Sequence, residues 1–202
     1  MDKGFFFENF CFTNEQRRSF LTYSRLLSSW QKNLNLVSSR SLEDQWARHF
    51  IDSAQIIEFI KPYKNYTGII DIGSGAGFPG LVLSLLGCYP MYLIESNRHK
   101  VAFLKEVIGK TGSKAKVLND RIENVKLPSF NIVISRAFSS INKLLSILEL
   151  RGIYEVKCIF PKGKTYNQEL DETKKIWDIN LRTYKSITNS ESRIVVVEAF
   201  KR

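Results

Sequence analysis

The sequence predicts an α/β fold: a doubly wound, mostly parallel sheet that ends in an antiparallel hairpin, with a helical extension in front of it. Three observations carry this expectation. Short apolar runs at 68–72, 91–95, 115–118, 131–135 and 154–160 are separated mostly by helix-like stretches, the alternation that builds βαβ units. A glycine-rich run, Asp71-Ile72-Gly73-Ser74-Gly75-Ala76-Gly77-Phe78-Pro79-Gly80, joins the first strand to a helix-like stretch at 81–86. The tail carries two successive strand-like runs, 179–188 and 192–199, joined by Asn189-Ser190-Glu191, the pattern of a hairpin.

The elements follow in order. Thr13-Asn14-Glu15-Gln16 forms a capping box that opens a helix running to about Trp30. Phe20, Tyr23, Leu26, Leu27 and Trp30 recur at three- and four-residue steps and give it one apolar face. A second helix is predicted from near Ser41, with Glu43 and Asp44 in its first turn, to just before Pro62. Residues 1–62 are therefore expected as a helical extension packed on the core, and residues 63–202 as the main domain, the two forming one structural unit. Pro79 suits the first turn of the helix after the glycines, where a missing N–H costs nothing. Trp30, Trp46 and the N-terminal phenylalanines are assigned to the core.

Composition bounds the function. The 202 residues, 44% of them hydrophobic, suffice for one domain with a real core. No apolar run approaches the ~20 residues of a membrane span, and Glu8 and Asn9 interrupt the briefly signal-like start. Cys11, Cys88 and Cys158 are odd in number and widely spaced, which points to reduced thiols in a cytoplasm. With only His49 and His99 present, a His-rich metal centre is excluded. The net charge of +10 is uneven: residues 1–60 balance, whereas 61–130 hold ten basic against five acidic side chains. A surplus beside the glycine run fits a polyanionic partner such as RNA, or else a Lys-rich solvated surface. The same two readings apply to Arg98, Lys100, Lys105, Lys110, Lys114 and Lys116, a candidate phosphate track along the helix they bracket.

The glycine run marks a cofactor site, since bare backbone at a helix start favours close approach of a ligand. Gly75-Ala76-Gly77-Phe78-Pro79-Gly80 fits the dinucleotide fingerprint, and Glu95 lies where a carboxylate takes two ribose hydroxyls. Two features favour S-adenosylmethionine instead. Asp71 precedes the glycines, where it would repel a pyrophosphate but can orient the loop and meet an ammonium, directly or through water. The tail hairpin matches the sheet of class I methyltransferases, whereas a dinucleotide-binding sheet is typically all parallel. Gly73, Gly75 and Gly77 then cradle the methionine end. After the third strand, Asn119-Asp120-Arg121-Ile122-Glu123 is placed to flank the adenine, with Ile122 against the ring. After the fourth, Ser135-Arg136-Ala137-Phe138 should aim Arg136 into the site as a positioning group.

What is missing narrows the chemistry. No Asn/Asp-Pro-Pro-aromatic motif follows the fourth strand to serve an amine, and no cysteine is placed there to attack a pyrimidine; Cys158 falls on the fifth strand as a core residue. The reaction should need neither base nor nucleophile, and guanine N7 fits because its lone pair is free at neutral pH. Catalysis would be in-line positioning.

With Trp30-Gln31-Lys32-Asn33-Leu34-Asn35-Leu36, Arg48-His49-Phe50-Ile51-Asp52-Ser53, the Asp71-to-Gly80 run, Arg121-Ile122-Glu123, Ser135-Arg136-Ala137-Phe138 and Pro161-Lys162-Gly163, the chain resembles the ribosomal small-subunit methyltransferase G family, also called glucose-inhibited division protein B. The resemblance implies methylation of N7 of one guanine in the decoding-region loop of 16S rRNA, as naked rRNA or the 30S particle. It also implies cofactor contacts at Gly73, Phe78, Ile122, Glu123 and Arg136, with Glu95 on the ribose. The family usually has Asn at Gln31, Thr at Val37 and Asp at Glu95; only the Val37 change loses a polar group outright. Arg48 and Lys162 are further candidates for RNA phosphate, with Arg98 and Lys100; an ordinary i, i+4 pair between Arg48 and Asp52 is the alternative for Arg48. A monomer without metal or membrane is expected. The alternative function is an NAD-sensing or RNA-binding module without methyl transfer.

Overall fold

A computed structural model describes residues 1–10, 13–63 and 65–202. Among them, seven strands form one sheet: β1 (Ile69–Ile72), β2 (Met91–Ile94), β3 (Lys116–Leu118), β4 (Ile132–Ile134), β5 (Lys157–Lys162), β6 (Asp178–Lys185) and β7 (Arg193–Lys201). Their order is β3-β2-β1-β4-β5-β7-β6. The first five are parallel, and β7 inserts antiparallel between β5 and β6. Both faces of the central strands are covered, so the sequence there is apolar apart from Asp71 in β1. Successive residues still part to opposite sides: Ile69, Ile132 and Ile134 join one core, Ile70, Ile72 and Val133 the other. The outermost strand, β6, carries mostly exposed residues including Arg182 and Lys185, which suits an edge.

On one face lie α1 (Lys3–Asn9), α2 (Asn14–Trp30), α6 (Gly80–Leu85) and α7 (Arg98–Thr111); on the other lie α8 (Ile141–Leu150) and α9 (Tyr166–Lys174). The capping box of α2 is formed: Gln16 N–H donates to Thr13 Oγ1 at 3.1 Å, and Thr13 N–H to Gln16 Oε1 at 3.0 Å. Its apolar face buries Phe20, Tyr23 and Leu27 fully. Trp30 Nε1 donates to Glu106 Oε2 at 2.8 Å, tying α2 to α7. Phe6 is fully buried against Phe20, Trp46 and Phe50.

The predicted continuous second helix is broken. Ser38 caps α3 (Ser39–Glu43), a π-helical turn spans Trp46–Ile51, and two short pieces follow, α4 (Asp52–Ala54) and α5 (Ile57–Ile60). The reason is lateral. His49, Phe50 and Ile51 are all buried, more than one face of a regular helix can turn inward, and the Arg48 carbonyl accepts a side chain, Arg136 Nη1, at 2.9 Å. The fifth strand also runs later than the 154–160 predicted. Pro161 stays in register opposite Ile194, so Lys162 lies in the strand and not beyond it. Pro79 caps α6 from just outside its first turn. The hairpin connection spans 186–192, longer than the three residues expected, because Ser186 and Thr188 turn inward to Gln55 and Asp52. Cys88 and Cys158 are buried free thiols, and burial pushes Cys88 up to about 11; Cys11 lies outside the described residues. No described helix is long and apolar enough to cross a membrane.

The Tyr23 hydroxyl, at the centre of the α2 face, donates to the Ala76 carbonyl inside the glycine run. Tyr23→Phe strands that buried carbonyl and should cost about 1–3 kcal/mol. Urea unfolding checks this, and an unchanged midpoint would show that the bond contributes nothing.

Candidate functional site

The glycine run makes a turn tied on four sides. Gly73 and Ser74 donate their amides to Ile94 O at the end of β2, both at 3.0 Å. Gly75 N–H donates to Glu95 Oε2 at 2.9 Å. Gly80 N–H donates to Asp71 Oδ2 at 2.9 Å, and Tyr23 holds Ala76. Two glycines are required sterically. Gly73 has φ +72°, and a Cβ there would overlap the Phe138 ring. Gly77 has φ +89°, and its Cβ would come within 2.7 Å of Tyr23 Oη. At both, a side chain would be strained and crowded.

Asp71 is fully buried, its Oδ1 has no hydrogen-bond partner, and burial pushes its carboxyl up to about 7 against the opposing Gly80 amide and Arg136 charge. It therefore orients the loop. The direct contact with a cofactor ammonium that the sequence also suggested does not fit a side chain shut inside the turn.

A cavity of about 380 Å³ opens at the carboxyl ends of β1 to β4. Gly73, Gly75, Glu95, Ile122 and Glu123, drawn from three loops, line it together. Glu95 Oε1 accepts Asn97 N–H at 2.8 Å while Oε2 holds Gly75. Each oxygen keeps a second lone pair, so the two can accept from both hydroxyls of a vicinal diol. Ile122, 2% exposed, offers an apolar wall. Its loop is pinned from outside by Arg151, which donates to the Glu123 and Val125 carbonyls. Adenosine-type groups fit this combination of diol acceptor, flat apolar wall and bare peptide.

Four predicted residues are placed elsewhere. Gly77 faces α2, and Phe78, 4% exposed, stacks on Tyr23 (5.2 Å, 10°) and His49 (4.8 Å, 22°); both support the loop from behind. Asp71 is enclosed. Arg136 turns away from this cavity toward the N-terminal segment. Its Nη1 donates to Arg48 O at 2.9 Å and Asp52 Oδ2 at 3.1 Å, and its Nη2 to His49 Nδ1 at 3.0 Å. Because a guanidinium only donates, His49 accepts on Nδ1 and carries its proton on Nε2, 3.1 Å from Ser41 Oγ. Burial, with the Arg136 and Arg48 charges, lowers His49 to about 3. The Arg48–Asp52 pair expected from spacing thus gives way to Arg136–Asp52.

Of the basic candidates, Arg48 and Arg98 are exposed and Lys100 lines the cavity. Lys162 is buried, 2.9 Å from Glu169 Oε2, and also donates to Ser139 O at 2.6 Å; a phosphate would have to displace Glu169. Sequence reasoning did not single out Ser96, Lys143 or Phe138 as cavity residues. Ser96 could have been found as the neighbour of Glu95; Lys143, on α8, has no linear signal.

Over residues 16–195 the chain matches the family described as rRNA small subunit methyltransferase G. It is 35% identical over 175 residues to the Ribosomal RNA small subunit methyltransferase G of Rickettsia bellii, covering 87% of this chain and 89% of that one. To the protein of the same name from Orientia tsutsugamushi it is 36% identical over 190 residues, 94% of each. In fold it is similar to magnesium protoporphyrin IX methyltransferase from Synechocystis PCC 6803 with bound SAM (TM-score 0.59, 11% identity, 94% of this chain and 99% of that one). It is also similar to the 16S rRNA methylase RmtB (TM-score 0.55, 12% identity, 90% and 74%).

Two outcomes follow from this geometry. Arg136→Lys leaves one ammonium for three acceptors and should cost roughly 1–3 kcal/mol in urea unfolding. Asp71 rises from 3.8 when unfolded to about 7 when folded, so its stabilising contribution is full below pH 3.8 and lost as pH rises through about 7. Asp71→Asn should remove that decline, at most about 1.4 kcal/mol per pH unit; parallel pH profiles for variant and parent would refute it.

Proposed function

The chain belongs to the rRNA small subunit methyltransferase G family, and from that premise we propose that it transfers the methyl group of S-adenosylmethionine to N7 of a guanine in 16S rRNA. The observation that carries the cofactor is the convergence of Gly73, Gly75, Glu95, Ile122 and Glu123 on one cavity. Glu95 holds the ribose hydroxyls, Ile122 and the Glu123 backbone meet the adenine, and Gly73 and Gly75 take the methionine end. The antiparallel insertion of β7 supports this reading over a dinucleotide site.

S-adenosylmethionine supplies a methyl group already bonded to a cationic sulfur. A neutral lone pair can therefore accept it without a base, and guanine N7 loses no proton on attack. The protein's task is orientation and exclusion of water. Asp71, Tyr23 and Glu95 hold the turn in place before anything binds, so little reorganisation is left for the reaction. Arg136 acts one step back, as a positioning residue through the loop it anchors.

The RNA approaches the strand-end face over Arg48, Arg98 and Lys100, with residues 1–62 packed beside it as an extension of the 63–202 unit. An rRNA substrate supports a cytoplasmic location.

Labelled S-adenosylmethionine with 16S rRNA or 30S particles tests the assignment. Label on guanine N7 is expected; label on another base or atom overturns it. Glu95→Gln removes one charge-assisted acceptor and should weaken S-adenosylhomocysteine binding by about tenfold, read by calorimetric titration. Undiminished affinity would dismiss Glu95 as the ribose ligand.

A further inference from the structure

A second cavity, of about 440 Å³, adjoins the first at the carboxyl end of β5. The two share only Ala137 and Phe138 in their linings. We propose that this second cavity receives the target guanine, with Phe138 stacked on the base and the Lys162–Glu169 pair reading its Watson–Crick edge. The inference rests on the methyltransferase function proposed above and names the acceptor side of that site.

Donor and acceptor of a methyl group must meet across one boundary, and Ala137-Phe138 is that boundary. Its backbone is set for the purpose: Ala137 is the one non-glycine residue at positive φ, +54°, among the described residues. Such a conformation persists only where the surroundings enforce it, and here Arg136 anchors the preceding residue. The consequence is that Phe138 lies over Gly73 while remaining 43% exposed. A large apolar ring left half in water, at the junction of two cavities, has a face to offer a base. Unstacked RNA bases are gripped in this way by aromatic side chains.

The far side of the cavity supplies the discrimination. Glu169 Oε2 accepts Lys162 Nζ at 2.9 Å and Ile141 N–H at 3.2 Å, which leaves Oε1 out of both bonds. The cation and the carboxylate sit side by side, with side-chain exposures of 7% and 22%. Guanine presents an acceptor, O6, beside two donors, N1–H and N2–H, and the pair matches that row. Adenine reverses it, with a donor beside an acceptor, and would set N1 against the carboxylate. Guanine N7 lies on the opposite edge of the purine from N1–H and N2–H. A base held by Glu169 with its face on Phe138 therefore turns N7 toward Ala137, at the boundary with the first cavity. On transfer, the N7 lone pair forms the new N–C bond as the S–C bond breaks and leaves its electron pair on sulfur. No proton departs, and the positive charge passes to the purine. An aromatic face and a carboxylate both favour the cationic product ring.

Full-length Phe138→Ala, Phe138→Trp and Glu169→Gln are compared with the parent, using labelled S-adenosylmethionine and 30S particles or 16S rRNA. Phe138→Ala should lower kcat/KM by about tenfold to a hundredfold, a larger factor than any loss of S-adenosylhomocysteine affinity, and Phe138→Trp should restore most of the loss. Glu169→Gln should also lower kcat/KM at retained S-adenosylhomocysteine affinity. Parent-level kcat/KM in Phe138→Ala overturns the pocket, and so does a parallel loss of S-adenosylhomocysteine affinity, which would place Phe138 in the cofactor site alone. A parent protein that labels no guanine N7 overturns the proposed function itself, a failure distinct from that of the pocket.

Discussion

The guanidinium of Arg136 is the point on which the rest of the site depends. It meets Arg48 O, Asp52 Oδ2 and His49 Nδ1 from one planar fork, and its charge lies 5.3 Å from the Phe78 ring. Asp52 passes the connection on: its Oδ1 accepts Thr188 Oγ1 at 2.8 Å and Gln55 Nε2 at 2.9 Å. Gln55 in turn accepts Ile187 N–H at 2.9 Å. The N-terminal segment, the loop after β4 and the tip of the hairpin thus share one network, although they lie far apart in sequence. An ammonium has its three donors on a single nitrogen and spans less than the guanidinium, which is why the fork matters and not only the charge. The same network reaches local irregularities: it bonds the Arg48 carbonyl within the π-helical turn and fixes the residue before the strained Ala137.

The two carboxylates of the glycine turn divide the work by burial. Asp71, enclosed and pushed up to about 7, ties the strand to the start of α6 and faces nothing outside. Glu95, at the cavity edge, holds Gly75 and Asn97 by their amides and keeps lone pairs for a ligand. Exchanging the two positions would fail in both directions, since an enclosed carboxylate cannot reach a ribose and an edge carboxylate cannot cap a buried turn. His49 completes the support. Kept neutral by burial and by Arg136, it can accept from the guanidinium and stack on Phe78 at once; a protonated ring could not accept.

Local patterns were legible in the sequence, and contacts between distant segments were not. The glycine turn and the capping box at Thr13 are each written within ten residues or so, and the alternating strands and tail hairpin as successive short runs. Glu95 was legible because strand geometry places the end of β2 beside the end of β1. Arg136 was predicted to face the cofactor, since it follows a strand end; its acceptors at 48, 49 and 52 lie more than eighty residues away, and no spacing rule announces them. The π-helical turn at Trp46–Ile51 was invisible for the same reason, because it exists to bury three consecutive residues against partners elsewhere. Lys162 read as a free phosphate ligand until its carboxylate partner on α9 was placed beside it. Phe138 was written in the motif, but its half-exposed position depends on the φ of Ala137.

These placements also reorder the meaning of the basic surplus. Two cations that line the second cavity are already paired: Arg136 with Asp52, Lys162 with Glu169. They contribute geometry, and a pair that is mostly desolvated presents a donor and an acceptor at fixed positions, which is what discriminates one base edge from another. The exposed basic side chains, Arg48 and Arg98 among them, contribute attraction that is long in range and indifferent to sequence. On the proposed function, the net charge of +10 brings the RNA to the strand-end face without choosing a nucleotide. Choice falls to groups whose charge is spent internally, because only a side chain held by its neighbours can penalise a base that presents the wrong edge.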